Sequence, residues 1–231
     1  MPNYNPTALA VENVHLTYGS GPAAVTVLRG ITAAFSPGEL TLLMGPSGSG
    51  KTSLLSLLGC ILRPDSGEVH VLGEAAARLG EEARTRIRRR RIGFVFQAFR
   101  VFESLTAREN VALALELAGF RRQERIARAD AVLSELGLQD CIHRKPKELS
   151  GGEKQRVALA RAIVHDPPIV LADEPTASLD TESGLKVAAL LRQIAERQKR
   201  IVVVVSHDER LRVFAHRCLH ILDGRILEEK Q

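Results

Sequence analysis

The run Gly45-Pro46-Ser47-Gly48-Ser49-Gly50-Lys51-Thr52 has the residue types and spacing to hold phosphate. Glycines let backbone N–H groups curl around phosphate oxygens, and a helix starting just after them points its positive end at the same anion. In that arrangement Lys51 reaches the β- and γ-phosphates and the Thr52 hydroxyl ligates Mg²⁺. An apolar run, Leu40 to Met44, enters the loop, and a helical pattern, Ser53 to Gly59, leaves it. This is the strand–loop–helix context that the P-loop motif needs.

A second apolar run, Ile169 to Ala172, ends in Asp173-Glu174. An acid at the tip of a neighbouring parallel strand sits on the ligand edge of such a sheet, where Asp173 can hold Mg²⁺ through water. Glu174, one residue on, is placed to polarise the water that attacks a γ-phosphate, as general base. A third segment, Leu149-Ser150-Gly151-Gly152-Glu153-Lys154-Gln155, opens a helix with two glycines in its first turn. Each glycine there gives up as much as ~1 kcal/mol of helix propensity, so something should gain from the bare backbone. Two readings stay open on the residues alone: a closely approaching phosphate, or an ordinary capping box with tolerated glycines. Because one P-loop already surrounds one triphosphate, the phosphate reading implies a site completed by another subunit.

These groups need a frame to hold them. Apolar, β-branched runs too short for helices occur at Val25 to Ile31, Leu40 to Met44, Ile92 to Phe96, Ile169 to Ala172 and Ile201 to Val205. Runs apolar throughout suit strands covered on both faces. Helix starts with the capping-box pattern fall at Thr106/Glu109, Ser150/Glu153 and Ser206/Glu209. Strand and helix alternate, which predicts an α/β fold with a mostly parallel sheet. Residues from about 97 to 150 break the alternation, with helical patterns at Ala107 to Ala118 and Arg122 to Leu136, and read as a helical insert in one domain spanning 1–231.

With 231 residues, 45% hydrophobic and 26% charged, the chain has the profile of a folded globular protein, which excludes disorder, collagen and coiled coil. The longest nearly unbroken apolar stretch, Leu54 to Leu62, is about half of a membrane span, and MPNYNPTALA has no basic start followed by an apolar run. A chain neither secreted nor membrane-spanning is expected. Cys60, Cys141 and Cys218 are far apart and not at metal-ligand spacing, and read as reduced thiols of a cytosolic protein. Six arginines fall between Arg84 and Arg91, and removing them from the net charge of +5 leaves −1. The basicity is local, reads as a solvated helix face, and is weak support for a nucleic-acid partner.

The order of P-loop, Gln97 after a strand, Leu149 to Gln155, Asp173-Glu174, Ser178-Leu179-Asp180 and His207 resembles the nucleotide-binding subunit of an ATP-binding cassette (ABC) transporter, over nearly the whole chain. The Leu-Ser-Gly-Gly segment corresponds to that family's signature. The resemblance implies a P-loop core with an N-terminal antiparallel β region and a helical insert carrying the signature. It implies that Tyr18 stacks on adenine, and that Gln97 touches Mg²⁺ or the attacking water and senses the membrane partner. It also implies that Asp180 crosses a dimer interface, that Ser150 and Gly152 bind the γ-phosphate held by the opposite subunit, with Gly151 and Glu153 in the same nucleotide-binding segment, and that His207 hydrogen-bonds the γ-phosphate. The cofactors implied are ATP and Mg²⁺, and the partners a second copy on ATP binding and separate integral membrane permease subunits. The expected place is the cytoplasm, peripheral on the inner face of the membrane, without nucleic acid.

Within the family, Leu54 to Gly59, Pro64-Asp65-Ser66-Gly67-Glu68 and Ser104 to Val111 look most like the bacterial macrolide-export and lipoprotein-release group. Arg100 and Glu103 depart from the asparagine and proline usual there, in the region that faces the partner. The alternative is a cassette ATPase that regulates cell-division or chromosomal machinery without moving cargo.

Overall fold

β1 (Leu9–Tyr18) pairs antiparallel with β2 (Val25–Phe35) on one side and β4 (Ser66–Val71) on the other, and β5 (Glu74–Ala75) completes a four-stranded sheet. The computed structural model describes residues 9–227. Eight residues of the N-terminal stretch read for a leader lie outside the described residues, as do the last four. Val25 to Ile31 is a strand, but not one covered on both faces: β2 alternates buried and exposed positions and pairs antiparallel with β1. Its partner is the adjacent strand in the chain, and an apolar run alone does not say which strand it meets.

The second sheet has six strands in the order β10-β9-β3-β8-β7-β6. These are β3 (Leu40–Met44), β6 (Ile92–Val95), β7 (Ile169–Asp173), β8 (Ile201–Val205), β9 (Arg217–Leu222) and β10 (Arg225–Leu227). All pairings are parallel except the β9–β10 hairpin. The unbroken apolar runs follow from two cores, one on each face. Leu43, Leu171 and Val203 face one cluster with Phe35, Leu54 and Leu58, between this sheet and the antiparallel one. Leu42, Val170 and Val204 face the other cluster with Val111, Leu133, Leu159 and Leu191. Each such side chain contributes about 1.5–3 kcal/mol by leaving water.

The helices are α1 (Lys51–Leu58), α2 (Glu81–Arg91), α3 (Ala107–Leu117), α4 (Arg122–Glu135), α5 (Gly151–Ile163) and α6 (Thr181–Gln198). Residues 97 to 150 hold α3, α4 and short 3-10 turns, with no strand, as the pattern predicts. Arg108 and Asp130 join α3 to α4 through paired bonds of 2.6 and 2.8 Å. Both halves of the capping box form at Thr106/Glu109 and at Ser150/Glu153. The third expected box does not: Asp208 caps the 3-10 turn Glu209–Phe214, and Ser206 is fully buried with Oγ accepting from Asp208 N at 3.1 Å. With an acid directly before the turn, the serine is free for other work at the strand tip.

The arginine run is also less uniform than a solvated face. Arg84 is buried and donates to the Cys60 and Leu62 carbonyls, and Arg88 donates to the Cys60 carbonyl and Glu81. Among the described residues no helix is long and apolar enough to cross a membrane.

Candidate functional site

β3 lies inside the six-stranded sheet between β8 and β9, so its C-terminal end opens onto the edge where α1 begins. The loop leaves β3 at Gly45 with φ 144°, and a Cβ there would stand 2.1 Å from the Ile221 carbonyl oxygen. Only glycine fits that approach. Gly50 precedes α1 and offers no side-chain cap, whereas Thr106, Ser150 and Asp180 each cap their helices. The first N–H groups of α1 are therefore left for an anion.

Lys51 is only 8% exposed, and its ammonium donates to the carbonyls of Gly45 (2.9 Å) and Pro46 (2.8 Å). Burial holds it below its ordinary value, against the pull of Glu174 and Asp173. The Thr52 hydroxyl donates to Asp173 Oδ1 at 3.1 Å, across 121 positions of sequence. Burial pushes the Asp173 carboxyl up, with the Glu174 charge adding and the Thr52 bond and Lys51 opposing.

Glu174 turns the chain at the tip of β7 with φ 47°, and its N–H donates to the Val205 carbonyl at 2.9 Å. That turn aims its carboxylate at the end of β8. Oε1 lies 2.8 Å from His207 Nδ1, and Oε2 accepts from Ser206 Oγ at 3.4 Å. Ser206 is in turn fixed by its N–H, which donates to the Leu43 carbonyl at 3.1 Å. Three adjacent strand tips thus bring Lys51, Thr52, Asp173, Glu174, Ser206 and His207 to one edge.

The other expected residues sit apart from this group. Tyr18, at the end of β1, is 44% exposed, with its hydroxyl 3.3 Å from Ser53 Oγ beside the loop. Gln97 is exposed in the turn after β6 and makes no side-chain hydrogen bond among the described residues. Ser47 and Gly48 are exposed at the tip of the loop. No hydrogen bond joins the segment from Ser150 to Glu153 to the phosphate loop. That segment instead meets the start of α6: a Cβ on Gly152 would stand 2.9 Å from Ser183 Oγ. The bare backbone at Gly152 thus already has one reason inside the chain. Asp180 caps α6 by accepting from Ser183 N at 2.9 Å, and that bond holds its carboxyl below the ordinary range.

Two features had no reading in the sequence. Ser206 as a partner of Glu174 was hidden by its match to a capping box. Arg161, on α5, donates to the carbonyls of Arg100 (2.7 Å) and Phe99 (3.3 Å), which stand in the left-handed region with φ 46° and 55°. Burial lowers the Arg161 pKa with no carboxylate opposing it.

The chain is similar to known proteins over most of its length. Residues 28–177 match the ABC transporter family. The chain is 44% identical over 219 residues to an uncharacterized ABC transporter ATP-binding protein of Thermotoga maritima, covering 94% of this chain and 93% of that one. It is 41% identical over 219 residues to the macrolide export ATP-binding/permease protein MacB of Salmonella typhimurium, covering 95% of this chain. The match takes in 34% of MacB, so the chain spans about a third of that relative's length. Among solved structures, the dimeric post-hydrolysis state of the ATP-binding cassette MJ0796 bound to ADP and Pi superposes with a TM-score of 0.88 at 39% identity, covering 96% of this chain and 98% of that one. The dimeric structure of MJ0796 described as a bacterial ABC transporter cassette gives 0.89 with the same coverage. The chain belongs to the ABC transporter family, in which it is an ATP-binding cassette.

Proposed function

We propose that the chain is the Mg-dependent ATPase of a transporter whose permease is a separate integral membrane protein, of the exporter or lipoprotein-release type. The observation that carries this is the convergence of Lys51, Thr52, Asp173, Glu174 and His207 at one sheet edge facing an uncapped helix start. ATP would lay its phosphates along the loop from Gly45 to Thr52, with the α1 N–H groups and Lys51 holding charge and the Tyr18 ring against the purine.

Thr52 and Asp173 offer adjacent hard oxygens, and among the described residues no cluster of three His, Cys, Asp or Glu closes around them. Such an open set fits a small divalent cation that keeps water and substrate oxygens as its other ligands. Thr52 and Asp173 would hold Mg²⁺, with Gln97 as a further donor, and the ion would supply charge neutralisation at the β- and γ-phosphates. Glu174 would take a proton from the attacking water while the bond from the γ-phosphorus to the β-bridging oxygen breaks. His207, held by Glu174, would hydrogen-bond the transferred γ-phosphoryl.

The separation of Ser150 to Glu153 from the loop supports a site shared by two copies, each offering its α5 start and Asp180 to the other's nucleotide. The MJ0796 cassette of similar sequence is dimeric in its solved structures. A groove of about 380 Å³ lined by Phe94, Phe96, Arg100, Phe102, Leu117 and Arg161 follows Gln97 and is where a permease segment would dock. The cassette would then sit in the cytoplasm against the inner face of the membrane.

The test is hydrolysis of Mg-ATP and self-association by the purified chain. Glu174→Gln should run as a dimer in ATP, and Lys51→Ala should neither dimerise nor hydrolyse. A Glu174→Gln chain that stays monomeric at high concentration in ATP would remove the shared-site reading.

A further inference from the structure

Arg86, Arg90 and Arg91 line a hollow of about 340 Å³ with Glu74, Leu79, Ala83 and Ile87. Of the six arginines in α2, Arg84 and Arg88 bind carbonyls and Glu81, while Arg86, Arg89, Arg90 and Arg91 have no ion pair among the described residues. Arg86 and Arg90 stand four apart on one helix face, a like-charge placement that weakens the helix, so an external anion is the natural complement. Ala83, Arg86, Ile87 and Arg90 share that face, so aliphatic and basic side chains border the same hollow. α2 ends at Arg91 and the chain runs directly on into Ile92 and Gly93, which line the groove after Gln97.

We infer that this hollow binds the phosphate group of an anionic membrane lipid. The inference rests on the reading that the groove after Gln97 receives a membrane permease, which would bring the chain close to the bilayer. A guanidinium matches a phosphate diester in shape and charge, and the aliphatic Leu79, Ala83 and Ile87 suit the glycerol end of a lipid. Single-stranded nucleic acid fits less well, because no aromatic side chain lines the hollow to stack on a base, and a duplex is told apart by the test below. Each arginine close to an anionic leaflet raises binding by a factor of roughly five, so two of them account for roughly 25-fold.

The test is co-sedimentation of the full chain with vesicles of one part phosphatidylglycerol to three parts phosphatidylcholine, and with phosphatidylcholine alone, at about 0.1 M salt. Binding is expected to the anionic vesicles only, and Arg86→Gln/Arg90→Gln should lose it roughly 25-fold. Arg89→Gln/Arg197→Gln removes the same charge from exposed positions outside the hollow and should lose far less. Equal loss in both pairs, equal binding to neutral vesicles, or tighter binding of a duplex oligonucleotide that depends on Arg86 and Arg90 would each overturn the site. Thermal melting of each variant checks that it is folded, and ATP hydrolysis is measured in the same samples. A chain that hydrolyses ATP but ignores the vesicles refutes the lipid site alone, whereas one that binds them without hydrolysing refutes the proposed function alone.

Discussion

His207 Nδ1 lies 2.8 Å from Glu174 Oε1, and the bond crosses between the tips of two neighbouring parallel strands. The histidine is held by the residue proposed to activate water, so replacing either changes the setting of the other. Glu174→Gln keeps a group that can bond His207 but removes the base. Phosphate release should fall by roughly 10²- to 10⁴-fold while nucleotide binding persists, measured by a phosphate assay and by nucleotide titration. Comparable losses of rate and of binding would instead make Glu174 a structural residue.

Gly152 separates packing from phosphate contact. Alanine there puts a Cβ 2.9 Å from Ser183 Oγ and should cost about 1–3 kcal/mol in denaturant melts. Adding Ser183→Gly should restore the stability but not ATP-driven dimerisation. Recovery of both would mean that the glycine serves only the contact between α5 and α6.

Arg161 holds two residues in a backbone region that side chains disfavour. Arg161→Ala should lower stability by about 2 kcal/mol, the scale of hydrogen bonds from a charged donor. Faster proteolysis between Phe99 and Phe102 should accompany the loss. An unchanged cleavage rate there would show that the turn holds itself.

Asp173 titrates above its ordinary value of 3.8, chiefly because it is buried. Its charge therefore opposes folding at pH above the raised pKa, and the penalty fades as pH falls toward 3.8, where both states become protonated. Asp173→Asn should raise the melting temperature of the ligand-free chain at pH 7, with the advantage shrinking on acidification. The same variant should lose the Mg²⁺ dependence of nucleotide binding. A melting advantage that grew toward acid would contradict burial as the cause.

The strands β3, β6, β7 and β8 were legible to within one residue, because a strand buried on both faces is apolar throughout and Leu42 and Leu43 serve different cores, whereas β9, which alternates and flanks β3, was not read. The P-loop was equally plain, since its glycines answer to local geometry such as the Ile221 carbonyl beside Gly45. What escaped depends on neighbours far along the chain. Ser206 fits a capping box by spacing, and only the strand order brings it to Glu174. Gly152 reads as bare for a ligand until Ser183 is seen against it. Arg161 lies 61 positions from the carbonyl it holds, and nothing in its own helix announces that turn.

Ser183 stands between two helix starts. Its side chain abuts Gly152, and its N–H holds Asp180, so the two helix starts proposed to face a second copy share one residue. Ser183 therefore touches both starts at once. In the proposed paired assembly a phosphate bound at Ser150 and a contact made at Asp180 would both bear on this serine, and any coupling of their binding free energies would be reciprocal. Each nucleotide of that assembly would then meet two helix beginnings of the opposite copy that are tied together by one serine.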